Sequence, residues 1–507
     1  MAGELEEAEG LLASGDLPGL LRQLRVHGGE LPLGEVARLA AGAAGLAGFD
    51  DLAQAAAAAA DGSGSQDARV LYDFGYACLD RGAGYLAVRP LARALDLAPQ
   101  SAAVLSELVT ALEQDGQHAR AVAVLEEHEP AMGWVHRFQY VYNALMAGNL
   151  DKAAEGFGRL PEPHDGAWAP AREKVRRMVA RAGIARTVSS LDRQDLRGWH
   201  YVLTGGVLAS LSPYGFDAMT GRWAYVSDSA ASCAAALGRL GLIRDAARTV
   251  PQSVALLPGR SSQILGAAAA AMLTLPAADF DPGNPAPHSL VVAYDLTATD
   301  PGAVAALRER VPGQVVFERV TRWTDPPRVT ADVSGLLAQT IVPPWAAQLR
   351  RLDDGTTGQG PADDRPVRTI AAEIAGTTPH SDEGDGSTPP DPDDGLRHVR
   401  RNGHGPAGTR PRRWLARRHP GVHPRRGPGT QQPLPLSPRP GITHGDICDP
   451  TPMNSTAGSS SGPQQSTLMP RRVRAASHLH HRVTNYYSLS HPTLILLFAP
   501  MIRWRCR

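Results

Sequence analysis

Lysine is nearly missing from this chain. Lys152 and Lys174 are the two lysines among 51 basic residues, and all the others are arginine. Alongside 52 Gly and 42 Pro, this bias fits a GC-rich coding sequence better than a demand for guanidinium groups. Cysteine is scarce too. Cys78, Cys233, Cys448 and Cys506 stand far apart and form no CxxC pair, so neither a disulfide framework nor a zinc site is indicated. The opening MAGELEEAEG is acidic and has no apolar stretch, so no signal peptide is expected. The late apolar run Leu494 to Phe498 is far too short to span a bilayer. No membrane partner is expected, and the expected location is cytoplasmic.

Net charge is absent as well, but the balance hides an asymmetry. Residues 396–507 hold 18 Arg against two acids, Asp446 and Asp449, while the rest of the chain holds 33 basic residues against 49 acidic ones. An acidic body therefore ends in a strongly basic tail. No GxGxxG follows a strand pattern and no GxxxxGK(S/T) occurs, which leaves dinucleotide and P-loop readings without support. Ser210 and Ser212 have no GxSxG context. His200 lies in a strand pattern and Cys233 in an Ala-rich helix, and both are most simply core residues.

What is present is a phased array. Gly15, Gly48, Gly82, Gly116 and Gly148 are spaced by 33, 34, 34 and 32 residues. Five residues after each stands Leu20, Ala53, Ala87, Ala121 or Ala153, and four further on Leu24, Ala57, Leu91, Leu125 or Phe157. The glycine closes a first helix at positive φ, the small residue admits a second helix, and the next apolar residue continues the same face. The unit from Ala68 to Ser101 carries Leu71, Phe74, Gly75, Cys78, Ala87, Leu91, Ala94 and Pro99 in register. In this it resembles a tetratricopeptide (TPR) repeat, with Leu71 and Cys78 where that motif prefers aromatics. The resemblance implies an α-solenoid of stacked hairpins over residues 1–160 and a concave wall for a protein or peptide partner. It puts Arg69, Tyr72, Tyr76, Ser106, Thr110, Glu113, Phe138 and Tyr142 on that wall, the aromatics as anchors. The alternative is that these aromatics pack between repeats or against the next domain. A linker and capping helix at 161–184 are expected to end the array.

From 185 to 345 the pattern changes to α/β. Trp199 to Leu211 suits a strand, a bend and a second strand or short helix. Ser253 to Leu257, Leu290 to Tyr294 and Gln314 to Val320 read as buried strands alternating with helices, which predicts a mainly parallel sheet covered on both faces. Ligands of such sheets sit at the strand carboxyl ends. There Gly259, Arg260, Ser261 and Ser262 suit a phosphate or carboxylate at a helix start, and Asp295, Thr297 and Thr299 suit ribose or hydrated magnesium. This layout is loosely similar to the phosphoribosyltransferase core. It departs from it in having one acid, Asp295, where that family has two, and in lacking its Gly/Thr phosphate cradle.

Residues 346–395 form an acidic Pro/Gly-rich linker in which Val367 to Ile374 suits a short helix. Residues 396–507 are rich in Arg, Pro and His and read as disordered, either as a genuine tail or as an out-of-frame reading of a GC-rich gene. Trp414 is the one aromatic in its basic part, and nucleic acid is not expected as the partner. The expected function is a TPR-type interaction or adaptor protein with an accessory α/β domain, using no cofactor and no metal, and no reaction is assigned. The alternative is an enzyme or small-ligand sensor for a phosphorylated or nucleotide-like ligand. Mg²⁺ enters only under that alternative.

Overall fold

The computed structural model describes residues 2–129, 132–192, 195–211, 223–322, 324–325, 327–351, 356–379 and 391. Ser212 and the tail expected over 396–507 lie outside the described residues. Ten α-helices of the amino-terminal part pair as hairpins: α1 (Ala2–Ala13) with α2 (Leu17–His27), α3 (Leu33–Leu46) with α4 (Asp50–Ala60), α5 (Ala68–Asp80) with α6 (Gly84–Leu97), α7 (Ala102–Gln114) with α8 (His118–Glu127), and α9 (Trp134–Met146) with α10 (Leu150–Arg159).

Every hairpin turns the same way. Gly15, Gly48, Gly82, Gly116 and Gly148 have φ of +74°, +74°, +69°, +71° and +80°. The residue after each glycine donates its N–H to the carbonyl five residues back: Asp16 to Leu11, Phe49 to Ala44, Ala83 to Cys78, Gln117 to Leu112 and Asn149 to Ala144, at 2.8–3.0 Å. The glycine N–H bonds the carbonyl three residues back. These are the two bonds of the Schellman cap, which satisfies the last helical carbonyls. A Cβ on Gly15, Gly48, Gly82 or Gly148 would meet nothing within 4 Å. Backbone conformation, not space, requires glycine there.

Leu20, Ala87, Ala121 and Ala153 are fully buried, in line with the spacing. α4 departs from it: Leu52, Ala56 and Ala59 are buried, one residue out of register, and Ala57 is exposed. Where most side chains are alanine, the one large apolar residue, Leu52, decides which face turns inward. One hydrophobic cluster runs from α1 to α8. A second takes in Val122, Phe138, Val141 and Leu145, then Trp168 and Met178, and ends on Leu208 and Leu337 of the sheet. The array and the sheet thus share a core.

α11 (Ala169–Ala185) and α12 (Leu196–Thr204) make this junction. Trp199 to Thr204 is therefore helical and not the strand expected from WHYVLTGGVLASL, and His200 sits in that helix. Asp195 caps α12 by accepting from the Gly198 N–H at 2.8 Å, and Gly205 ends it at φ +85°. Arg181 of α11 donates to the carbonyls of Val202 and Leu203 at 2.8 and 3.0 Å. Seven successive residues of α12, Leu196 to Val202, are buried, so the run shows no helical period to read.

The α/β part runs β1 (Val207–Leu208), β2 (Trp223–Ser227), α13 (Ala230–Ala246), β3 (Ser253–Leu256), α14 (Arg260–Leu273), β4 (Ala277–Asp279), β5 (Ser289–Asp295), α15 (Pro301–Ala306), β6 (Val315–Arg322) and β7 (Val333–Val342). An antiparallel pair, β8 (Leu349–Arg351) and β9 (Thr357–Gln359), precedes α16 (Val367–Gly376). The main sheet is parallel in order β1–β7–β6–β5–β3–β4. β1 pairs with β7 at Val333–Ser334 and β2 pairs with it from Ala338 to Val342, so the two form successive segments of one edge. α13, α14 and α16 cover one face, where Ile370, Ala371 and Ile374 bring residues beyond 345 into the sheet's own core. α15 packs on the other face.

β4 and β7 were not foreseen from the sequence. β7 carries Gly335, ordinarily a sign against a strand interior. Here a Cβ would lie 2.3 Å from the Arg319 carbonyl oxygen, so the missing side chain permits close approach of β6. Among the described residues no helix is long and apolar enough to cross a membrane.

Two glycine substitutions separate two costs. Gly82→Ala, where φ is +69° and a Cβ would meet nothing, is expected to lose about 1–2 kcal/mol from left-handed backbone strain alone. In α5, a Cβ on Gly75 would lie 2.5 Å from Leu91 Cγ, and Gly75→Ala is expected to lose about 1–3 kcal/mol by overpacking. Adding Leu91→Ala should offset part of the second loss and none of the first, measured by urea unfolding of each single and double variant.

Candidate functional site

On the array, the expected wall divides into an open part and a closed part. Arg69 is exposed and binds Asp73 at 2.8 Å, with its guanidinium 6.0 Å from the Tyr72 ring centroid. Tyr72 and Tyr76 are half-buried and stack at 6.0 Å, as i and i+4 on one helix face allow. Burial pushes the Tyr72 hydroxyl up, with Glu107 of α7 adding to it.

The remaining wall residues are interior. Ser106 Oγ lies 2.8 Å from His136 Nε2, and Thr110 Oγ1 donates to the Ser106 carbonyl at 2.9 Å. Because His136 Nδ1 accepts from the Gly133 N–H at 3.1 Å, Nε2 is the nitrogen that carries the proton. Glu113 accepts from Asn143 Nδ2 at 2.6 Å, and Asn143 Oδ1 accepts from His118 Nδ1 at 2.8 Å. Tyr142 meets His118 edge-on at 6.2 Å. Burial holds His118 below the ordinary imidazole range. Phe138 is fully buried between Trp134 and Trp168, at 5.6 and 5.9 Å. These polar groups tie α7, α8 and α9 to one another, and the aromatics fasten the linker to the last hairpin.

In the sheet, both ligand loops foreseen from sequence flank one topological point. From β3 the chain moves outward to β4, and from β5 it moves the other way through β6 to β7. Such a reversal opens a crevice at the strand carboxyl ends. Gly259 has φ +101° and an open Cβ position. Arg260 Nη2 donates to the carbonyls of Asp363 and Arg365 at 3.0 and 2.6 Å. Ser261 accepts from Trp345 Nε1 at 2.9 Å, and Ser262 accepts from the Tyr294 N–H at 3.1 Å. Asp295 is buried, pairs with Arg322 at 2.7 Å and accepts from Thr297 at 2.5 Å. Thr299 donates to the Asp295 carbonyl at 2.8 Å. Trp345 and the carbonyls of 363 and 365 thus stand on the α14 start, where a ligand was expected. Among the described residues, no group of three or more His, Cys, Asp or Glu is placed to hold a metal ion.

Buried charge clusters escaped sequence reading. Asp228, just after β2, binds Arg319 at 2.8 Å and accepts from Tyr294 Oη at 2.8 Å, with Cys233 Sγ at 3.4 Å. Burial drives the Asp228 carboxyl upward, but Arg319 together with the hydrogen bonds from Ser232 and Tyr294 outweighs it and the net shift is down. On the opposite face of β6, Glu318 accepts from Thr321 and from Ser334, the latter at 3.1 Å, while its Oε2 has no hydrogen-bond partner. Strand alternation separates Arg319 from Glu318. Arg319 of β6 and Tyr294 of β5 come to Asp228 from 91 and 66 residues along the chain, so spacing carries no signal of them. A further cluster gathers around Arg197 and Arg239.

Comparison with the known protein families, with the curated proteins and with the solved structures finds no match for this chain. The apolar depression lined by Leu240, Leu290, Val315 and Val333 lies at the amino ends of the strands, away from both loops.

Glu318 is pushed up to about 8, chiefly by burial, with the bonds from Thr321 and Ser334 acting the other way. The folded value exceeds the unfolded one, about 4.3, so between them the folded state keeps a proton that the unfolded chain has lost. Stability therefore falls as pH rises through this window, by at most about 1.4 kcal/mol per pH unit from this group. Glu318→Gln, uncharged throughout, should gain on the native chain steadily between mildly acidic and mildly alkaline pH in urea unfolding. A constant difference would show that Glu318 ionises freely in the fold.

Proposed function

We propose that this protein is an interaction scaffold, a TPR-type adaptor whose helical array receives an extended segment of a partner protein beside a fixed α/β domain. The observation that carries this is the Tyr72–Tyr76 stack on α5. It is half-exposed and flanked by the Arg69–Asp73 pair, whereas Phe138 and Tyr142, at matching places in the later hairpin, are interior. Tyrosine gives large contact area with little ordering cost, and tyrosine and arginine are enriched at binding hot spots. The glycine register and the positions of Leu71, Phe74, Gly75, Ala87, Leu91 and Ala94 support the repeat resemblance. The face in use is then short, centred on α5, and the later hairpins are given over to the junction with the sheet.

The partner chemistry follows from the face. Two phenol rings with a neighbouring guanidinium favour an extended peptide bearing apolar or aromatic side chains, with a carboxylate to meet Arg69. Peptides selected on the full chain from a random display library are expected to lose about tenfold in affinity on Tyr72→Ala/Tyr76→Ala. Arg69→Glu, at an exposed position, should select against acidic peptides while leaving the melting temperature unchanged. Selected peptides that bind both variants as tightly as the native chain would overturn the proposal.

A further inference from the structure

The two lysines of the chain stand in opposite settings. Lys152, near the start of α10, is 43% exposed and pairs with Glu126 at 2.7 Å. Lys174, in α11, is half-buried, and among the described residues it makes no hydrogen bond and no ion pair. Glu173, the one acid of α11, is turned to two arginines instead: it binds Arg176 at 2.5 and 2.7 Å and Arg177 at 3.3 Å.

Helix period accounts for this setting. Ala171, Val175, Met178, Ala182 and Ala185 form the buried face of α11. Lys174 stands at the edge of that face, and Arg181 follows it at i+7, two turns along the same flank. Arg181 is fixed by the end of α12. Its Nε and Nη2 donate to the Val202 and Leu203 carbonyls, and Gly205 leaves room for Nη1, which a Cβ there would approach to 2.6 Å. Carbonyls hold this guanidinium and no carboxylate cancels its charge.

Two cations without a carboxylate therefore share one flank at the junction of the array and the sheet. Burial first, and the charge of Arg181 second, pull the Lys174 ammonium from 10.5 down to about 8. Burial also pulls Arg181 down to about 10, with Tyr201 of α12 opposing and Arg177 adding to it. Among the described residues, no titratable group of α9, α10 or α12 acts on Lys174. At about pH 7.5 roughly a quarter of Lys174 is free amine, against roughly one in a thousand for an ordinary lysine. Desolvation beside a second cation is the setting that activates a lysine as a nucleophile.

We propose that Lys174 is a nucleophilic amine that condenses with an aldehyde or ketone bearing a carboxylate or phosphate. The Nζ lone pair attacks the carbonyl carbon, the carbinolamine loses water, and a C=N bond replaces C=O. No oxidant or reductant enters. Arg181 supplies the positive field that draws the anionic group, with no acid on Lys174 to oppose it. Half-buried, the amine is withdrawn from water yet open to a small carbonyl compound. The site is separate from the Tyr72–Tyr76 face and does not rest on it. Lys152 provides an internal control in the same chain.

The test uses the full native chain, with pyridoxal 5′-phosphate as the anionic aldehyde, borohydride to trap the imine and mass spectrometry to read the label on each lysine. A less basic amine is a weaker nucleophile, by the trend that thiols follow, so the gain in free amine is partly offset. At about pH 7.5 Lys174 is expected to be labelled about tenfold faster than Lys152. Its rate should level off above about pH 8, while that of Lys152 keeps rising. Pyridoxal, the same aldehyde without the phosphate, should lose most of the preference. In urea, with the fold gone, the two lysines should react alike. Labelling of Lys174 no faster than Lys152, or a preference that persists in urea, overturns the proposal. Equal preference with the two aldehydes overturns the assignment of an anionic substrate.

Discussion

A left-handed glycine at the end of each first helix is the constraint on which the amino-terminal half depends. A hairpin of two short helices has little apolar face of its own, and it becomes stable only by stacking on the next. Stacking requires every hairpin to turn at the same angle, and the paired Schellman bonds at Gly15, Gly48, Gly82, Gly116 and Gly148 provide that. At Gly15, Gly48, Gly82 and Gly148 no contact calls for glycine, since a Cβ would meet nothing. Gly75 is glycine for the other reason, to let Leu91 in. The array thus rests on two uses of the same residue, one in the backbone and one in packing.

The last hairpin changes the nature of the molecule. Its aromatic residues, Trp134 and Phe138, turn to Trp168, and the cluster continues through α11 and α12 to Leu208 and Leu337. A parallel sheet buried on both faces then has to compensate the charges inside it. Asp228 with Arg319 does so on one face, and Asp295 with Arg322 at the edge of the other. Arg197 and Arg239 pair with a carboxylate from beyond α16, that of Asp391. Buried charge therefore brings Asp391 into the sheet's own chemistry.

Legibility followed periodicity. The hairpins, the strands β3, β5 and β6 and the helix α16 are readable because a turn signal or an apolar period marks them. α12 is buried around its whole circumference and shows no period, and β7 contains a glycine that serves close approach. The wall residues divide for a related reason. A helix face assigned by spacing is the same in every hairpin, yet Phe138 and Glu113 are covered by later segments of the chain, while Tyr72 and Tyr76 are not. The switch-point loops were found, but not the Trp345 and Arg365 segments that stand on them.

By itself the sequence determined the helical hairpins, their phase, the parallel sheet and the location of its strand ends, because each depends on residues near one another in the chain. Tertiary structure decided which faces stay open and which charges meet. Arg197, Arg239 and Asp391 share no spacing or motif, and Arg319 and Asp228 are likewise distant. Their pairing is fixed by the energy of burying ions, a term that exists only once the chain has folded around them.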